Sequence, residues 1–111
     1  MVAYMKNVHK ALILVSFLGL AACNDPKIDA STDEALQSSL EGLYQTLPVD
    51  QGNQLKLNVT ALNEYFQKRI YKGEPVEDAQ KEYMSILNDK TAAEVGEEVD
   101  RLRPYGIAPS Q

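Results

Sequence analysis

The chain has an apolar run from Ala11 to Ala22, read ALILVSFLGLAA, that follows Lys6 and Lys10 and closes on Leu20-Ala21-Ala22-Cys23. No other feature limits the fold as much, because it decides how much of the chain is available to form a domain. A cationic start, a short apolar stretch and small residues before a cleavage point are the three parts of a secretory signal. A cysteine directly after the two alanines makes this a lipobox. The run covers twelve residues, against the about 20 that a membrane-spanning helix needs. The expectation is therefore a cleaved lipoprotein signal peptide over residues 1–22, with Cys23 as the diacylglyceryl-bearing first residue of the mature protein. Met5 stands as a second candidate start beside Met1, and would place Lys6 at the very front of the signal.

Without residues 1–22 the chain keeps nine Lys and Arg against sixteen Asp and Glu, a formal charge of −7 over 89 residues. Phosphate recognition needs clustered cations, so this balance argues against nucleic acid as a partner. Anionic headgroups would repel the domain as well, which leaves acyl chains on Cys23 to hold it to a membrane, at about 0.8 kcal/mol per buried methylene. A chain of this length supports one modest core, which buries roughly 60–65% of the unfolded surface. Cys23 is the only cysteine, so no disulfide contributes. Stability has to come from helix packing or from a partner subunit.

Residues 23–30 read as the lipidated N-terminus and a short linker, in which Pro26 favours extended neighbours. The helical domain is expected over 31–103. Ser31 and Glu34 have capping-box spacing, and Leu36, Leu40, Leu43 and Leu47 then recur at helical intervals until Pro48, which predicts a first helix over 32–46. Asp50 is a candidate cap for a second helix near 51–72, with a stripe of Leu55, Val59, Leu62, Phe66 and Ile70 and a stop at Gly73. Pro75 suits the first turn of a third helix ending near Asn88, with Val76, Ala79, Tyr83, Ile86 and Leu87 facing inward. Thr91 and Glu94 repeat the capping box for a fourth helix with Ala92, Val95, Val99 and Leu102 inside, running to Pro104. Residues 104–111 read as a flexible tail.

No segment has the strict alternation of a half-buried strand. Short connections at 47–50, 73–75 and 88–91 place consecutive helices antiparallel, so the expected fold is all-α, a small antiparallel helical bundle of about four helices. Leu57 and Tyr71 lie opposite the main stripe of the second helix. Either that helix is central and covered on two sides, the reading favoured because apolar surface is usually covered within a domain, or the two are contacts for a partner.

The sole histidine, His9, lies in the signal, and the chain has no tryptophan. Ser-His-Asp and Cys-His catalysis therefore have no base in the mature chain, and zinc lacks its usual His or thiolate ligands. Two carboxylate groups remain, Glu74, Glu77, Asp78 and Glu82, and Glu94, Glu97, Glu98 and Asp100. Both fall on helix faces without the loop that calcium binding requires, which reads as a solvated surface rather than a metal or glycosidase site. Lys68, Arg69 and Lys72 among Tyr65, Phe66 and Tyr71 imitate a headgroup- or RNA-binding patch. Cations at a helix C-terminus are what the dipole favours without any ligand.

Pro26-Lys27-Ile28-Asp29 after the cysteine, the Ser/Thr-Asp-Glu helix start at 31–34, Leu47-Pro48, and Leu87-Asn88-Asp89-Lys90-Thr91-Ala92-Ala93-Glu94-Val95 together carry a resemblance. Over most of 23–103 the chain resembles small, uncharacterised Gram-negative lipoproteins that form a domain-of-unknown-function group. Asp89 departs from that pattern, standing where glycine is expected. The resemblance implies a lipid anchor and a helical domain; it brings no activity, cofactor or catalytic residue.

These features predict a non-enzymatic, lipid-anchored envelope protein that needs no cofactor, faces the periplasm and works through protein–protein contact. Adaptor, structural and toxin-immunity roles all fit this reading, and a homo-oligomer is a further candidate for the contact. The alternative is a binding module that holds a small apolar or lipid ligand between its helices. Asn24, rather than aspartate, follows Cys23, which points to the outer rather than the inner membrane.

Overall fold

The computed structural model describes residues 25–107. Residues 1–24, which include Cys23 and the segment read as a signal, lie outside the described residues, as do residues 108–111. Four α-helices follow one another: α1 (Asp33–Thr46), α2 (Val49–Tyr71), α3 (Val76–Leu87) and α4 (Ala92–Leu102), the last continued by a 3-10 turn at Arg103–Tyr105. Among the described residues there is no strand, only an isolated antiparallel bridge between Lys27 and Thr91. The fold is an all-α bundle.

The helix starts follow local chemistry, with two corrections to the sequence reading. Thr32, not Ser31, caps α1, its hydroxyl accepting the Ala35 N–H at 3.0 Å. Ser31 is occupied by Asp29, to whose carboxylate it donates through both its hydroxyl (2.6 Å) and its N–H (3.0 Å). Asp50 does not cap α2: the helix begins at Val49 after Pro48, and Asp50 sits inside the first turn, where the helix dipole favours an anion. Pro75 stands one residue before the first helical residue of α3. Thr91 and Glu94 form the expected reciprocal capping box of α4.

Contacts along α2 fix the arrangement. A Cβ placed on Gly52 would sit 3.4 Å from the Tyr44 carbonyl oxygen, so α1 and α2 meet closely beside their Leu47-Pro48 connection. Phe66 packs edge-on to Tyr83 at 5.9 Å between ring centroids, and Ile70 shares a recess with Gln80, so α3 runs back along α2. Leu55 lies beside Ala92 and Asn58 beside Gly96, so α4 runs in the same direction as α2. The helices thus alternate up and down. One end of the bundle gathers the α1–α2 and α3–α4 turns, and the other gathers the α2–α3 turn and the end of α4.

The core is the set of stripes read from the sequence. Leu36, Leu40, Leu43, Leu55, Val59, Leu62, Phe66, Ala79, Tyr83, Leu87, Val95, Val99 and Leu102 are all buried. Leu47, Ile70, Ile86 and Ala92 are only half-buried against this core, and Val76, the first residue of α3, is 60% exposed.

Both margins of the helical domain contribute to the core. Ile28 is 2% exposed and Ala30 5%. The Ile28 N–H donates to the Lys90 carbonyl at 2.9 Å, the Asp89 N–H to the Ile28 carbonyl at 2.8 Å, and the Ala30 N–H to Asn88 Oδ1 at 2.8 Å. Residues 27–30 are thus an extended strap on the α3–α4 turn and not a free linker. At the other margin Gly106, with φ of 103°, turns the chain so that Ile107 is buried and its N–H reaches the Leu102 carbonyl at 3.4 Å. The flexible tail read from residue 104 onward is therefore docked as far as Ile107.

Candidate functional site

Cys23, the lipidation candidate, lies outside the described residues. The structure does describe where the chain that follows it joins the bundle. Asp25, Pro26 and Lys27 are exposed, and the chain enters the core at Ile28, against the α3–α4 turn. That turn takes an unusual conformation: Asp89, at φ of 63°, is the only residue other than glycine with positive φ among the described residues. The position where glycine is expected is therefore a left-handed one, adopted here by an aspartate, whose short polar side chain tolerates that region better than most. The Asp89 carboxylate also lies 3.8 Å from Lys27 Nζ, with both side chains largely in solvent.

Leu57 and Tyr71, the candidate partner contacts, are both uncovered, at 40% and 92% exposure. Helix α2 is central, touching each of the other three helices, yet none of them covers this side. Central packing and exposure of Leu57 and Tyr71 coexist because α2 is longer than its neighbours and keeps one polar strip, including Thr60, Glu64 and Lys68, in solvent. Tyr71 ends α2 at the end of the bundle away from the strap. Val76 and Tyr105, 60% and 71% exposed, belong to the same end.

Five of the eight carboxylates in the two groups serve structure. Glu74 accepts two hydrogen bonds from Arg69, at 2.6 and 2.7 Å, and Glu82 accepts a third at 2.7 Å. Glu98 pairs with Arg101 and Asp100 with Arg103. Glu94 closes the α4 capping box; the Thr91 backbone and hydroxyl hold its carboxyl below the ordinary glutamate range. Among the described residues no group of three carboxylates or other ligands is placed to hold a metal ion.

The basic patch is dissolved in the same way. Arg69 turns away from Lys68 and Lys72 to its two glutamates, and lies 4.9 Å from the Phe66 ring centroid and 5.6 Å from that of Tyr65. Its guanidinium is held charged chiefly by the Glu74 hydrogen bonds. Tyr83 is buried with its hydroxyl near Asn63; burial pushes the phenol pKa up, so it stays protonated.

Among the described residues, two concavities test for a ligand. The recess between α2 and α3, lined by Asn63, Phe66, Gln67, Ile70, Gln80 and Tyr83, holds about 10 Å³, the space of a single water. An open groove between the starts of α2 and α4, lined by Gln51, Gln54, Leu55, Asn58, Ala92 and Ala93, holds about 160 Å³. Asn58 on its floor is 5% exposed and accepts from Gln54 Nε2 at 3.2 Å. This buried asparagine was not legible beforehand, because it borders the stripe of α2 without belonging to it. No helix among the described residues is long and apolar enough to cross a membrane. Comparison with protein-family models, curated proteins and solved structures returns no match.

Proposed function

We propose that the chain is a lipid-anchored envelope lipoprotein that acts by protein–protein contact, with no catalytic step of its own. The observation that carries the choice is that the recess and the open groove among the described residues, of about 10 and 160 Å³, fall below the roughly 300 Å³ at which pockets for small organic ligands begin. That favours an interaction domain over a carrier of an apolar or lipid ligand. Exposed Leu57, Tyr71, Val76 and Tyr105 are the side chains on which contact would rest, since large apolar groups left in solvent are natural anchors for a partner.

The lipid anchor rests on the Leu20-Ala21-Ala22-Cys23 lipobox, and the resemblance to small Gram-negative lipoproteins points the same way. Asn24 after the cysteine favours the outer membrane.

Two experiments test this reading. The mass of the N-terminal peptide of the membrane-extracted protein should show acyl chains on Cys23, and the reading fails if that thiol is free. Residues 24–111 exported behind a non-lipidated signal should be a soluble helical protein, since the acyl chains would supply about 0.8 kcal/mol per buried methylene and the domain alone nothing comparable. Quantitative sedimentation of that form with protein-free lipid vesicles would reject the contact reading in favour of lipid binding.

A further inference from the structure

The proposed anchor and the docked strap together give the bundle an orientation. Three residues, Asn24 to Pro26, separate Cys23 from Lys27, which already bridges to Thr91, and Ile28 is buried. The five residue steps from Cys23 to Ile28 span at most about 18 Å when fully stretched. Helix α2, with 23 residues, is about 34 Å long at 1.5 Å per residue. The strap enters beside the α3–α4 turn, at the end that also holds the α1–α2 turn. A tether this short cannot let the opposite end of the bundle reach the bilayer first.

We infer that the lipid surface itself is the partner of this near end, and that the α1–α2 and α3–α4 turns stand against the headgroups while the α2–α3 end points into the envelope space. The inference rests on the proposed acylation of Cys23. One further observation favours the near end over the sides. Val49, the first residue of α2, is 77% exposed there beside Pro48 and half-buried Leu47, giving an apolar tip of the kind that enters an interface. The exposed Tyr71, Val76 and Tyr105 are then carried on the far end, away from the membrane and open to a protein partner.

If Cys23 is acylated, its thiol is blocked, so an introduced cysteine is the sole labelling site. The mature lipoprotein, extracted from membranes and reconstituted in phosphatidylcholine vesicles that contain headgroup-spin-labelled lipid, is labelled with an environment-sensitive fluorophore at Val49→Cys, Asp50→Cys, Glu64→Cys or Glu77→Cys. All four positions are exposed, so the substitutions leave the core intact. The expected result is strong loss of fluorescence at positions 49 and 50 and no loss beyond an aqueous control at position 77, with position 64 between them or unquenched. Equal quenching at 49 and 64 would mean that the bundle lies on its side, and greater quenching at 77 would mean that it is inverted; either overturns the orientation while the anchor stands. A free, labelled Cys23 together with failure to float with the vesicles would overturn the anchor, and the orientation with it.

Discussion

The two inter-helix turns on either side of α3 solve the same problem by opposite means. The α2–α3 turn is built entirely from its own neighbourhood. Gly73, at φ of 112°, lets the Gly73 N–H reach the Ile70 carbonyl and the Glu74 N–H the Arg69 carbonyl, at 3.0 and 3.1 Å. This is the pair of bonds that closes a Schellman motif. The Glu74 side chain then folds back onto the Arg69 guanidinium. The α3–α4 turn has a left-handed residue too, but it is Asp89, and its backbone partners come from the strap some sixty residues away in sequence. One turn is closed by six consecutive residues, 69–74; the other is completed only when the N-terminal segment docks.

The comparison predicts unequal sensitivity to change at a distance. Truncating Ile28 should be among the costliest substitutions, since Ile28→Ala removes a side chain that is 2% exposed, at about 2–4 kcal/mol. Phe66→Ala, at the centre of α2 and 3% exposed, should cost about 3–5 kcal/mol. Leu57→Ala and Val76→Ala, at 40% and 60% exposure, should stay within roughly 1 kcal/mol. Urea unfolding of the protein lacking residues 1–23 measures all four. An Ile28→Ala effect as small as that of Val76→Ala would mean that the strap adds nothing to the bundle and that the two turns are equally local.

The same contrast explains what could be read in advance. The helices, their stripes and the Gly73 stop follow from periodicity and neighbouring residues, so they were legible. Residues 24–30 read as a linker because Pro26 and the absence of helical periodicity describe an extended segment correctly, while what such a segment docks against is a long-range property. The signal lay in Ile28 and Ala30, two apolar residues at the two-residue spacing of a half-buried extended chain. Ile107 had a comparable signal, an apolar residue just after Gly106, which is where a left-handed turn at a helix end places a buried contact. The exposure of Leu57 and Tyr71 could not be read, because it depends on how far the neighbours of α2 extend.

A smaller effect sharpens the local side of the comparison. Arg69→Ala removes the ion pairs to Glu74 and Glu82 and the stacking on Phe66 and Tyr65. The Arg69 side chain is 30% exposed, so screening limits the loss, yet the bidentate geometry and aromatic contact keep it near 1–2 kcal/mol. Part of that difference should vanish in high salt. A salt-independent loss would assign the role of Arg69 to packing alone.

On the other turn the decisive position is Asp89. Asp89→Ala places a Cβ without a compensating polar group at a φ of 63°, at about 1 kcal/mol. Asp89→Gly should be neutral to slightly stabilising, the relief of the left-handed conformation being offset by the greater freedom of glycine in the unfolded chain. Both are read as shifts of the thermal midpoint. A clear loss with glycine would show that the Lys27–Asp89 contact matters more than the backbone, which its 3.8 Å separation and solvent exposure argue against.

The mildest test separates the turns by pH. The Ser31 hydroxyl and N–H hold the Asp29 carboxyl below its ordinary value, and the Thr91 backbone and hydroxyl do the same for Glu94. Both groups belong to the strap and the turn it docks on. A carboxyl whose folded pKa is depressed binds protons more readily in the unfolded chain, so its contribution is fully present above the unfolded values of about 3.9 for Asp and 4.3 for Glu. It is lost as the pH falls from there through the lowered folded values. The amides of Ser31 and Thr91 should therefore exchange faster relative to the rest of the bundle as the pH drops below 4, after correction for intrinsic rates, while Gly73 and Glu74 change less. Glu94→Gln should remove much of that pH dependence at Thr91 and leave Ser31 responding to Asp29. Parallel loss of protection at both turns would mean that acid loosens the bundle as a whole and that the strap has no separate weakness.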